Sequence, residues 1–172
     1  MKVLLLFVLG LAVGISCLAK DQEVKGETLS FQIKDGVKFE NKTKNKMEFY
    51  SFEWGQPGTM FMLYRNSAIT SKDMLKPMTE IMSTAFKDQM KKQPGMEIKS
   101  FSNREVSLGI FSGTELEFVI TNTQFGIEIK QYMFLLWDGN SCWSGQFSDS
   151  SAKDISTVYD ILKNAKRITE TK

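Results

Sequence analysis

The stretch Gln131-Tyr132-Met133-Phe134-Leu135-Leu136-Trp137 decides how this chain folds. Alternate side chains of a strand point to opposite faces, so Met133, Leu135 and Trp137 share one face and Tyr132, Phe134 and Leu136 the other. Both faces are apolar. Such a strand has to be covered on both sides, as at the centre of a sheet. Downstream, Asp138-Gly139-Asn140 is a turn and Cys142 to Phe147 a returning strand. Upstream, Thr114 to Thr121 is a strand with Leu116, Phe118 and Ile120 on one side and Glu115 and Glu117 on the other.

Outward from this centre, Met47–Trp54 and Thr59–Tyr64 flank Gly55-Gln56-Pro57-Gly58 and read as a hairpin. Tyr50, Phe52 and Trp54 share a face, and Trp54, beside the turn, is the candidate partner-contact aromatic. Leu29, Phe31 and Ile33 alternate as a first strand ending at Asp35-Gly36. Ile98 with Phe101, and Val106 to Ile110, suggest two short strands. Ser71 or Asp73 can cap a helix running to about Lys92, with Met74, Met78, Ile81, Met82, Ala85 and Phe86 on its apolar stripe. A second helix is expected from about Ala152 to Ala165, with Ser151 and Asp154 approximating a capping box and Ile155, Val158, Leu162 and Ala165 as its stripe. Lys163, Lys166 and Arg167 near its end suit the helix dipole. Lys42, Lys44 and Lys46, interleaved with Asn and Thr, read as a solvated loop.

The first residues carry an address. Met1-Lys2 is followed by an apolar run from Val3 to Val13 and then small residues, the pattern of a secretory signal. Cys17-Leu18-Ala19 offers a small-x-small cleavage site, giving a mature start at Lys20. Gly14-Ile15-Ser16-Cys17 offers a lipobox, which makes Cys17 the lipidation candidate. The resulting organisation is a signal peptide at 1–19, a polar tether at 20–28 and one globular domain at 29–172. The expected location is the periplasm or extracellular space, with a membrane-anchored lipoprotein as the alternative and the lipid on Cys17 as its sole membrane attachment. The formal net charge of the whole chain is +2, and the leader removes only Lys2. That balance argues against a nucleic-acid partner. Either processing route leaves Cys142 without an internal disulfide partner.

The chain has no His. This removes the Ser-His-Asp triad, the Cys-His dyad and imidazole metal ligands. No glycine-rich phosphate loop occurs. Glu115 and Glu117, on one face of a strand, are the only carboxylate pair that suggests acid–base chemistry, and they carry a carboxylate-dependent hydrolase as a remote alternative. Met74, Met78 and Met82, spaced i, i+4, i+8, stack along one helix face. Soft thioethers select Cu(I), so these three are the candidate ligands of a copper-handling alternative, with Met60 and Met62 as additions. The same positions suit a packing stripe.

The order of strand pair, hairpin, long helix, strands and closing helix, together with particular residues, resembles a known family. Phe111-Ser112-Gly113-Thr114-Glu115-Leu116-Glu117-Phe118, the strand with Tyr132, and Trp143-Ser144-Gly145-Gln146-Phe147 resemble PsbP-like proteins, which take in the extrinsic protein P of photosystem II and DcrB-type envelope relatives. The resemblance spans residues 27–168. It implies an α+β fold, an α/β/α sandwich with a central, mostly antiparallel sheet flanked by helices. It also implies a non-enzymatic accessory or binding role, and it carries no ligand residues across. The function expected is therefore an exported accessory or binding protein without catalytic residues or cofactor, its partner another envelope or secreted protein.

Overall fold

The computed structural model describes residues 21–44, 47–55, 59–149 and 155–168. Seven strands make one antiparallel sheet: β3 (Lys38–Lys44), β4 (Met47–Glu53), β5 (Met60–Arg65), β6 (Met96–Leu108), β7 (Phe111–Asn122), β8 (Ile127–Trp137) and β9 (Cys142–Asp149). Their spatial order is β3-β4-β5-β9-β8-β7-β6. A second sheet, in the order β1-β2-β10, is built from β1 (Gln22–Lys25), β2 (Leu29–Ile33) and β10 (Lys166–Arg167). Helix α1 (Leu75–Lys91) follows a single 3-10 turn at Lys72–Met74, and α2 (Ile155–Lys163) precedes β10.

The two apolar faces of β8 are covered by different things. Tyr132, Phe134 and Leu136 join Tyr50, Phe52, Phe61, Leu63, Trp143 and Phe147 in the largest core cluster. Its lid is the small sheet, through Leu29, Phe31 and Ile33, together with Val158, Ile161 and Leu162 of α2. The aromatics interlock: Phe31 meets Phe52 edge-on at 5.0 Å, and Tyr50 stacks on Trp143 at 5.5 Å. Gly26 is required where the chain enters β2, since a Cβ there would lie 2.0 Å from the Tyr50 ring. On the opposite face Met133 packs with Leu116, Phe118, Ile120 and Met90 under α1. Leu135 and Cys142 pack there with Ile69 and Leu75.

This architecture corrects the expected α/β/α sandwich. Strand accounts for 54% of the described residues and helix for 21%, so the protein is mostly β. One face of the large sheet carries a second sheet where a helical layer was expected. The physical reason lies in β1 and β10. Gln22–Lys25, within the stretch read as a polar tether, pairs with β2 along Gln22↔Ile33 to Lys25↔Ser30. Lys166 and Arg167, read as helix-end charges, pair with Ser30 and Leu29. Both segments are short and mostly exposed, with Val24 packed partly against the core, so neither shows strand periodicity.

Two smaller differences have the same origin. Met96–Leu108 is one long edge strand with an irregularity between Ile98 and Ser100, where two short strands were expected. Its burial pattern is mostly exposed, which hides its alternation. Lys42 and Lys44 lie in edge strand β3 where a loop was expected, and charged lysines are common guards of an exposed edge. Ser71 makes no side-chain cap hydrogen bond. The leader at 1–19 with Cys17, together with Lys46, Ser151 and Asp154, lies outside the described residues.

Candidate binding cleft

Helix α1 packs mainly on β6, β7 and β8. Beyond it, β9 and β5 continue the same face, with Cys142 and Ser144 buried and Tyr64 and Gln146 partly exposed. The alternation of Cys142-Trp143-Ser144-Gly145-Gln146-Phe147 puts Trp143 and Phe147 in the core and sends Ser144 and Gln146 to the α1 side. Tyr64 sits opposite Ser144, so it shares that face. The helix contributes Met78, Met82, Ala85, Phe86 and Gln89, positions that recur along one side of its 3.6-residue turn. Wall and floor enclose a cleft of about 440 Å³.

The floor is held by its own hydrogen bonds. Asn66 Nδ2 donates to Ser144 Oγ at 3.0 Å, and the Asn66 backbone N–H donates to the Cys142 carbonyl at 2.8 Å. Gln131 Nε2 donates to the carbonyls of Tyr132 and Phe147 at 3.2 Å each, while Ser148 Oγ donates to Gln131 Oε1. Phe86 is anchored on Phe118 with centroids 4.4 Å apart. The result is a firm trough of thioethers, one aromatic edge, amides and a hydroxyl, with no charged side chain in its lining. Such a lining offers shape, dispersion contacts and amide hydrogen bonds.

The residues singled out from the sequence fall in different places. Met78 and Met82 line the cleft with Met133. Met74 does not; it packs beside Ile69 and Leu75, and its sulfur accepts a 3.7 Å hydrogen bond from Thr70 Oγ1. Met62, opposite Gln146, looks to the cleft side of the sheet without lining the cleft. Trp54 stacks on Phe147 at 5.5 Å, at the edge of the large core. Among the described residues no group of three or more Asp, Glu, Cys or His side chains is placed to hold a metal ion.

Glu115 and Glu117 do share a face but have separate partners. Glu115 is 1% exposed and takes a forked bond from Arg104, Nε to Oε1 at 3.0 Å and Nη2 to Oε2 at 3.2 Å. Tyr159 of α2 donates to the same carboxylate at 2.8 Å, and Arg104 also reaches the Tyr159 hydroxyl. Burial first, and then the Glu115 carboxylate, push the Tyr159 hydroxyl well above the ordinary phenol range. Burial pulls Arg104 down, but Glu115 and Tyr159 outweigh it and leave the guanidinium raised. Glu117 lies 3.7 Å from Lys130. Both Glu115 oxygens are occupied, so this cluster ties α2 to the sheet. Sequence reading missed it because Arg104 comes opposite Glu115 only through the register of β6 on β7.

Cys142 is 1% exposed, and burial first, with Asp138 second, pushes its thiol up to about 12. A thiol so placed is a poor nucleophile near neutral pH.

No family model and no curated protein matches the chain. A crystal structure from Bacteroides thetaiotaomicron is similar in fold, with a TM-score of 0.50 and 10% sequence identity over 84% of this chain. The match takes in 46% of that protein, so the present chain spans about half its length. At this identity the likeness speaks for the fold alone. Among the described residues no helix is long and apolar enough to cross a membrane.

Proposed function

We propose that this chain is an exported, non-enzymatic accessory protein that holds an extended, uncharged segment of another envelope or secreted protein in the α1 cleft. The observation that carries this reading is the unfinished cover of the sheet. α1 shields three strands and leaves an uncharged trough beside it, with Met78, Met82 and Met133 flanked by Gln89, Gln131 and Gln146. Thioethers adapt to varied apolar side chains. Amides can pair with the N–H and C=O groups of a bound peptide backbone. The accessory role is also what the PsbP-like resemblance implies. Export rests on Lys2 and the apolar run after it.

Selection of a displayed random-peptide library on residues 20–172 tests the cleft. Enriched peptides should bind the parent and lose binding to Ala85→Arg, which puts a long side chain into the trough from an exposed helix position, without changing the melting temperature. Failure to enrich any peptide, or equal binding by Ala85→Arg, sinks the reading. Export is tested by intact mass of the protein purified from its native cell. The mass should start at Lys20, or at a diacylated or triacylated Cys17; a chain retaining Met1 refutes export.

A second reading has one observation behind it: Met78, Met82 and Met133 bring three thioethers to one cleft. Three sulfur donors suit Cu(I). Competition against a Cu(I) chelator decides between a copper site and a peptide trough.

A further inference from the structure

The chain has three arginines, and they are treated differently. Arg104 holds Glu115, and Arg167 holds Asp138 at 3.1 Å; both carboxylates are buried. Arg65, at the end of β5, has no carboxylate or other side-chain partner among the described residues. It is only partly exposed. It lines a second cavity of about 540 Å³, whose polar members are Arg65, Asn66, Ser67, Thr70, Asn140 and Ser141. All but the arginine are neutral, and among the described residues no acidic side chain lines the space.

We infer that this pocket at the end of β5 is an oxyanion site, with Arg65 supplying the charge. A guanidinium presents planar, paired N–H donors that match a carboxylate or a phosphate. The neutral amides and hydroxyls beside it can complete the shell of such an anion. Ile69 and Cys142, both buried, form apolar wall, which strengthens charge interactions at the pocket's back.

Two features keep the site in shape. Asn66 is fixed by its bonds to Ser144 and Cys142, and its Oδ1 accepts the Ala68 N–H at 3.1 Å. On the other side Asp138 holds the Asn140 and Ser141 backbone N–H groups at 2.8 Å each. The Asp138 charge does not compete for Arg65. Its oxygens also take Trp143 Nε1 at 3.0 Å and the Arg167 guanidinium. The inference stands whether or not a peptide occupies the α1 cleft, although Asn66 borders both spaces.

The test is a titration of 15N-labelled residues 20–172 at constant ionic strength, with sodium acetate in one arm and sodium phosphate in the other. Saturable shifts of the Arg65 side-chain N–H and the Ser67 and Ala68 backbone signals are expected. Saturation by acetate alone identifies a carboxylate site, and saturation by phosphate, with or without acetate, identifies a site that also accepts a tetrahedral anion; either result supports the inference. Arg65→Gln should weaken the binding about tenfold or more, the loss of a charge-assisted bond pair. Its melting temperature without anion should match the parent, because Arg65 has no side-chain partner among the described residues. Arg65→Lys should retain a weakened site, showing that charge is what matters. Linear, unsaturated shifts in both arms, or identical titrations of Arg65→Gln and the parent, overturn the inference.

Discussion

The two faces of the seven-stranded sheet are made by the same strands and finished in opposite ways. One is roofed across most of its width by the small sheet and α2, over interlocked rings such as Phe31, Phe52, Tyr50 and Trp143. The other is covered by α1 mainly over β6, β7 and β8, and a cleft lies beside the helix over part of β5 and β9. Strand β9 records the difference in its own residues: Trp143 and Phe147 on the closed side, Ser144 and Gln146 on the open side. The closed face holds the fold together, and the open face has room for a ligand. Since stability is a small difference between large terms, the closed face can supply it while the other keeps a cleft.

The comparison breaks most visibly at Phe134. It is fully buried, meets Phe61 at 6.0 Å and Tyr159 at 6.4 Å, and lies at the heart of the closed face. Phe134→Ala should cost about 3–5 kcal/mol in a denaturant titration. An unchanged midpoint would mean the closed face is not the main source of stability.

An intermediate effect comes from high pH. Burial first, then Glu117, pushes the Tyr132 hydroxyl of the closed face up to about 12. The Cys142 thiol, under the roofed part of the other face, also stands at about 12. Both groups hold their protons more tightly folded than unfolded. Their contribution is complete below the unfolded thiol and phenol values of 9.0 and 10.0, and it is lost as pH rises toward 12. Unfolding free energy should therefore decline above about pH 9. Iodoacetamide should barely label Cys142 at pH 8 without denaturant; rapid labelling would place Cys142 outside the packed layer.

The smallest effect is expected in the cleft. Met78→Leu is close to volume-conserving at a partly buried position, and stability should stay within about 1.5 kcal/mol. Sub-micromolar Cu(I) affinity in the parent, lost in this variant, would turn the cleft from a peptide trough into a metal site.

Much of this was legible in the chain. The doubly apolar run around Phe134, the Asp138-Gly139-Asn140 turn and the alternation of β4, β5, β7 and β9 are local patterns with short-range causes. So is the stripe of α2, since the helical period brings Val158 and Leu162 to one side wherever the helix docks, whereas on α1 the expected Ile81 is exposed and the buried positions are Leu75, Thr79 and Met90. Two-sided burial of β8 also follows from composition alone, because a strand apolar on both faces finds no stable exposure to water.

What covers each face was decided only in three dimensions. Burial requires a cover and does not say whether a helix or a sheet supplies it. The small sheet forms because Gln22–Lys25 and Lys166–Arg167, far apart in the chain, both add backbone hydrogen bonds to β2. Their side chains mostly face water, Val24 excepted, and leave little mark in the hydrophobic pattern. Pairing register likewise set Arg104 against Glu115 and Arg65 against Trp143, and no spacing in the sequence separates those two arginines. The cleft lies where α1, packed mainly on β6, β7 and β8, leaves part of β5 and β9 uncovered. That boundary is set by where a 17-residue helix can dock on a seven-stranded sheet, a property of the packed layers and not of any one segment.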